Sequence, residues 1–140
     1  MKRFAFRSML TLIMLALSLT PSRAETASGV FEGLWKVTVT PDHAASTNGA
    51  QEFDDTLGFY GGKFLTEAFG MYGFPFGDVS LSGNNDICFT VSSGSDDYGT
   101  TVWTGEKAGT RVSGEMVWTK ADGTILHYTF TGRQTQTTHE

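Results

Sequence analysis

The sequence predicts an all-β protein, an eight-stranded antiparallel up-and-down barrel that follows an N-terminal signal peptide. Three observations predict it. Beyond residue 24, apolar side chains recur at every second position in short runs, and no stretch of ordinary helix length shows a 3.6-residue apolar period. Glycine-rich turns separate the runs, and all 17 glycines lie beyond residue 24. Threonine and aromatic residues, which suit a pleated, half-buried surface, are abundant there.

The first 24 residues have the three parts of an export signal. Lys2, Arg3 and Arg7 supply the positive start, and Met9 to Leu19 is an uncharged apolar run. Pro21 breaks the helix, and Ser22-Arg23-Ala24 places small residues at the two positions a signal peptidase reads. A run this short cannot cross a hydrocarbon core that needs roughly 20 apolar residues, so no membrane span is expected in the mature chain. No cysteine near the cleavage site offers a lipid attachment point. The expected compartment is periplasmic or extracellular, and residues 25–140 form one domain.

The elements follow in order. Phe31, Gly33, Trp35, Val37 and Val39 share one face of a first strand, which Pro41 ends. Residues 42–50 read as a polar loop. Phe53, Leu57 and Phe59 line a second strand, interrupted by Asp55. Gly61-Gly62 forms a two-residue hairpin turn, since such turns need positive φ, and a third strand runs from Lys63 to Phe69. A glycine-punctuated aromatic loop, residues 70–78, leads to a short fourth strand around Val79 to Leu81, which turns at Gly83-Asn84-Asn85. Ile87, Phe89 and Val91 mark the fifth strand, and Thr100 to Thr104 the sixth. Val112, Gly114, Met116 and Trp118 share a face of the seventh, and Leu126, Tyr128 and Phe130 a face of the eighth. From Arg133 the chain is polar and expected to fray. Closing such a meander into a barrel removes the exposed edges that template aggregation. A membrane barrel is set aside because most of these strands fall short of the roughly 9–11 residues a span needs.

Gly33-Leu34-Trp35 on the first strand of such a meander resembles the calycin superfamily, which includes lipocalins, fatty-acid-binding proteins and avidins. The resemblance covers most of residues 31–133. It implies a barrel whose closed end is plugged by Trp35, with Arg133 packed across the ring as a cation–π partner. It also implies a small apolar ligand in the interior. The chain carries no Thr-Asp-Tyr-type second lipocalin motif and no pair of cysteines.

Composition narrows the partners. Removing Lys2, Arg3, Arg7 and Arg23 with the leader leaves six of the ten basic residues against all fifteen acids, a mature net charge of −9. Such a chain repels the phosphate backbone, so nucleic acid is not expected as a partner. Cys88 is the only cysteine, which excludes an internal disulfide and leaves the core to supply stability. His43, His127 and His139 show no spacing that would pair one of them with Cys88 in catalysis. Asp96-Asp97 and Asn84-Asn85-Asp86 lack the spacing of a calcium loop and read as turn formers. No enzymatic activity, cofactor or metal is expected.

The expected ligand-binding set is therefore Asp55, Leu57, Phe89, Met116 and Tyr128 inside the barrel, with Phe74 and Phe76 on the 70–78 loop guarding its mouth. A barrel of this size is just wide enough to be filled by side chains or to hold one small ligand. The large aromatics favour filling, the preferred reading, whereas Gly33 and Gly114 favour remaining space. Asp55 points inward by alternation, as a polar anchor would; a bulge that turns it to solvent is preferred, because a buried carboxylate needs partners. The aromatic loop supports a rival function, a protein-interaction module or inhibitor in the cell envelope. Intact-mass measurement of the exported protein is expected to show a chain beginning at Glu25; a mature species that retains Met9 to Leu19 would overturn the signal assignment.

Overall fold

The computed structural model describes residues 29–135; the expected signal segment and the last five residues lie outside the described residues. A 3-10 turn, Gly29–Phe31, precedes β1 (Gly33–Pro41). Then come α1 (His43–Thr47), β2 (Phe53–Tyr60), β3 (Lys63–Thr66), α2 (Glu67–Gly70), β4 (Gly77–Asp78) and β5 (Ser80–Ser82). After a second 3-10 turn, Asn84–Asp86, the chain continues through β6 (Cys88–Ser95), β7 (Gly99–Ala108), β8 (Arg111–Thr119) and β9 (Ile125–Gln134).

All strands belong to one antiparallel sheet in the order β4-β3-β2-β1-β9-β8-β7-β6-β5. It curls into a nearly closed barrel of nine strands, one more than expected. The additional strand arises because the end of the segment expected as the 70–78 loop, Gly77–Asp78, is itself a strand, separated at Val79 from the expected fourth strand, Ser80–Ser82. Gly77–Asp78 pairs with β3 (Phe64 opposite Gly77), whereas Ser80–Ser82 pairs with β6 (Leu81 opposite Phe89). The chain thus crosses the seam itself. Gly77 lies so close to Val91 and the Ser92 carbonyl that any Cβ there would collide, which is how the two edges meet without a full ladder.

Local chemistry accounts for the other departures. Residues 42–50, expected as a loop, contain α1, started by Asp42, whose carboxylate accepts the Ala45 N–H at 2.8 Å. The third strand stops at Thr66 because the Thr66 hydroxyl accepts the Phe69 N–H and turns the chain into α2. Arg133 and Gln134 do not fray: β9 pairs with β1 to its end, and the Thr135 N–H bonds the Leu34 carbonyl. The Gly61-Gly62 turn has positive φ at both residues, as such a tight hairpin requires.

Strands β1, β7, β8 and β9 reach nine or ten residues, so length does not argue against a membrane barrel as expected. The outer face does. Lys36, Thr38, Thr40, Thr129, Thr131 and Arg133 point outward, whereas a lipid-facing wall is apolar. No helix among the described residues is long and apolar enough to cross a membrane.

Inside, aromatic rings touch from one end to the other. Trp35 meets Phe31 at 5.9 Å between centroids, and Phe31 meets Phe59 and Phe89 at 5.4 and 5.0 Å. Phe64 bridges Phe59 to Trp103, and Trp103 meets Phe130 at 5.3 Å. Gly105 and Gly114 stand opposite each other on β7 and β8, and the space above them holds the Phe89 and Phe130 rings. A Cβ on Gly105 would lie 2.5 Å from the Phe89 ring and 2.9 Å from the Phe130 ring, so this glycine admits the rings, while a Cβ on Gly114 would first meet the Thr104 carbonyl of β7. Trp35 is fully buried at the floor of this stack, and its indole N–H donates to the Phe31 carbonyl at 2.8 Å. Trp35→Ala is expected to cost about 3–5 kcal/mol, as large aromatic deletions from cores do. Urea melts showing a loss well under about 1 kcal/mol would mean the floor does not depend on this ring.

Candidate functional site

The two barrel ends differ. At the floor, the 3-10 turn Gly29–Phe31 closes the barrel over Trp35. At the other end, the start of β2, α2 with the connector after it, β8 and β9 line a groove of about 540 Å3. Its apolar walls are Phe53, Phe69, Met71, Tyr72, Trp118 and Tyr128, with Glu52 and Asp54 among its polar lining. Ligand sites for small molecules begin near roughly 300 Å3, so the groove has sufficient room.

Each wall residue has a local cause. Alternation on β2, β8 and β9 turns Phe53, Trp118 and Tyr128 toward the barrel mouth. Trp118 is held by its N–H, which donates to the Tyr98 carbonyl at 2.7 Å. Phe69 is fixed by α2 and stands edge-on to Trp118, with centroids 5.2 Å apart and planes at 89°. Phe53 meets both Phe69 and Tyr128 edge-on. Burial raises the Tyr128 hydroxyl above its ordinary pKa, keeping it neutral.

Asp55 holds α2 in place. It is inward-facing and only 6 % exposed, so the bulge that would turn it to solvent does not occur. Its Oδ1 accepts the Thr56 N–H at 2.8 Å and the Ala68 N–H at 2.9 Å. Oδ2 is buried with no hydrogen-bond partner. Burial is the main reason its carboxyl is pushed above the usual carboxylate range. The Ala68 and Thr56 N–H groups and the nearby Thr66 hydroxyl pull it back, and the Glu67 charge adds to the rise. Asp55 is thus a backbone anchor beneath the groove wall. A separate hollow of about 360 Å3 lies beside it, bordered by Lys36, Thr38, Asp54 and Glu67.

The structure does not gather the expected ligand set. Leu57, Phe89 and Met116 are fully buried in the filled interior, away from the groove. Phe74 folds in against Phe69 at 5.1 Å, leaving a space of only about 10 Å3 beneath the loop. Phe76 is 64 % exposed and outside the groove lining. Tyr128 alone of the expected set lines the groove. Gly33 opens β1 and Trp35 is at the floor, but Arg133 is exposed on the outer face, opposite Lys36. Strand parity puts Arg133 on the side away from the Trp35 ring, so it is not the expected cation–π partner. Phe69, Met71, Tyr72 and Trp118 were not in that set. The Thr66-Glu67 helix start was the available signal for Phe69 and Met71, but a four-residue helix is too short to show a period.

Comparison with protein-family models, with curated proteins and with solved structures gives no match.

The position of Asp55 sets a pH dependence. A carboxyl whose pKa is raised on folding adds stability below its unfolded pKa, and loses it as pH rises through the raised value. Asp55→Asn keeps an acceptor for Thr56 and Ala68 and removes the ionisable group. The variant is therefore expected to gain in melting temperature over the wild type at neutral pH, and to lose that advantage by about pH 3, below the unfolded carboxyl pKa. Asp55→Ala leaves two N–H groups unpaired and is expected to cost about 1–3 kcal/mol. Parallel thermal scans across this range test both; an advantage of the Asn variant that is independent of pH would refute the assignment.

Proposed function

We propose that this chain is an exported β-barrel that binds a small apolar ligand, and that the ligand occupies the groove at the open end. The observation that carries this reading is the groove itself: about 540 Å3, walled by six aromatic or apolar side chains, above an interior that is packed with rings. Exposed apolar surface of this kind is costly in water and marks a binding site more often than an accident.

The rigidity of the walls supports the reading. Phe53, Phe69 and Trp118 hold one another in edge-on contacts, and Asp55 ties the α2 wall to β2, so a ligand would meet a preformed surface. Met71, 83 % exposed, lies on the connector after α2 and would supply an adaptable cover. Kinship with the calycins belongs to the same proposal. It is supported by Gly33-Leu34-Trp35 on β1 and by the turn at Phe31 that receives the indole N–H.

A second reading has its own support: Met71, Tyr72 and Phe76 are all exposed on one connector, which suits a protein partner in the envelope.

Tryptophan fluorescence separates the two. Trp35 and Trp103 are sealed in the core, whereas Trp118 lines the groove. An apolar probe such as 1-anilinonaphthalene-8-sulfonate or a short-chain fatty alcohol is expected to bind with one-to-one stoichiometry and to alter tryptophan emission. Trp118→Phe should abolish the emission change and keep the fold. Absence of saturable binding, with the interior filled as it is, would remove the ligand reading and leave the protein-interaction one.

A further inference from the structure

We infer that the ligand of the groove is a neutral apolar molecule with one hydrogen-bond acceptor of the carbonyl class, and that the Tyr128 hydroxyl donates to it. This rests on the groove reading and adds a polar head to the ligand.

The first observation is an unclaimed donor. Tyr128 faces inward on β9, between Pro41 of β1 and Met116 of β8, and is only 5 % exposed. Its ring is fixed edge-on to Phe53, with centroids 5.9 Å apart. Its hydroxyl makes no hydrogen bond to any described residue, and burial alone raises its pKa. The oxygen is not sealed off either: Asp55 Oδ2 is the only sealed side-chain nitrogen or oxygen without a partner among the described residues. Tyr128 is a wall residue of the groove, so the part of it that stays accessible opens there. A buried tyrosine usually bonds its hydroxyl within the protein. This one is left to bond what enters the groove.

A second observation is that the polar groups around it are engaged elsewhere. The Trp118 N–H donates to the Tyr98 carbonyl, and Asp55 Oδ1 accepts two N–H groups beneath the α2 wall. Glu52 and Asp54 turn to the Thr40 and Thr38 hydroxyls of β1. Gln51 and Tyr72 are exposed at the rim, where water serves them.

The class of the head follows from these. Burial keeps Tyr128 protonated, and a phenol donates more readily than it accepts, because its oxygen lone pair is drawn into the ring. A hydrocarbon would strip water from the hydroxyl and return no partner, the cost of any buried unpaired donor. A carboxylate would enter a groove whose lining holds no lysine, arginine or histidine. A neutral carbonyl avoids both costs, while Phe53, Phe69 and Trp118 cover its apolar body.

Three probes of similar size test the inference: butyrophenone, butylbenzene (a methylene in place of the carbonyl) and 4-propylbenzoate. Each is titrated by calorimetry into the mature protein and into Tyr128→Phe. The variant keeps the ring, and its melting temperature should match the wild type because the hydroxyl bonds nothing in the protein. It is expected to weaken the ketone about tenfold and to leave the hydrocarbon as tight or tighter. The carboxylate should bind weakest to both proteins. The infrared carbonyl stretch of bound butyrophenone should lie at lower wavenumber in the wild type than in the variant, as a hydrogen bond to the carbonyl requires. A ketone affinity or carbonyl stretch that the variant leaves unchanged would overturn the inference and leave the groove standing as a ligand site. Tightest binding of the carboxylate would also overturn it, moving recognition to Lys120, whose ammonium stands 5.6 Å from the Trp118 ring centroid. Binding by none of the three would overturn the groove reading as well.

Discussion

The Trp35 indole is sealed at the barrel floor, its N–H bonded to the Phe31 carbonyl and its ring against the Phe31 ring. With no disulfide available, the fold depends on this closure and on the stack it begins. Phe31 passes the contact to Phe59 and Phe89, those to Phe64, and Phe64 to Trp103. Each ring is large and stiff, so each restricts where its neighbours can lie. Removing the floor would open the column from below and wet rings that have no polar atoms to meet water.

The same packing moves the functional surface. A barrel of this diameter can be filled by its own side chains or can hold a ligand, but it has no room for both. Here Gly105 gives up its side chain so that Phe89 and Phe130 can occupy the middle. The interior is then stability rather than recognition, and what remains for recognition is the end where the stack surfaces. Phe69, Trp118, Phe53 and Tyr128 are the last rings of the column, packed below and open above. Their positions are rigid because the column beneath them is.

Asp55 shows how the mouth is kept open. α2 is too short to hold itself together by its own hydrogen bonds. Thr66 caps it from within, and the Asp55 carboxylate reaches from β2 to bond the Ala68 N–H. The carboxylate is buried at an unfavourable pKa to do so, with Oδ2 unpartnered. A buried carboxyl kept under those conditions trades stability for the placement of one wall, a trade common at binding sites.

The all-β class, the meander, most strand positions and the inward set Trp35, Val37, Val39, Leu57, Phe59, Phe89, Val91, Met116 and Phe130 follow from the sequence alone. A two-residue period and glycine turns are local signals, written wherever a strand must bury one face. The inward direction of Asp55 was equally legible from alternation; its burial was not, because the partner that permits it, the Ala68 N–H, comes from a helix thirteen residues away. Tertiary structure decided the split at Val79, since it depends on two edges meeting across the seam. It also placed Arg133 on the outer wall and folded Phe74 inward while leaving Phe76 outside. The groove was beyond local reading for the same reason. Its walls come from β2, α2, β8 and β9, and only closure of the barrel brings those four segments to one end.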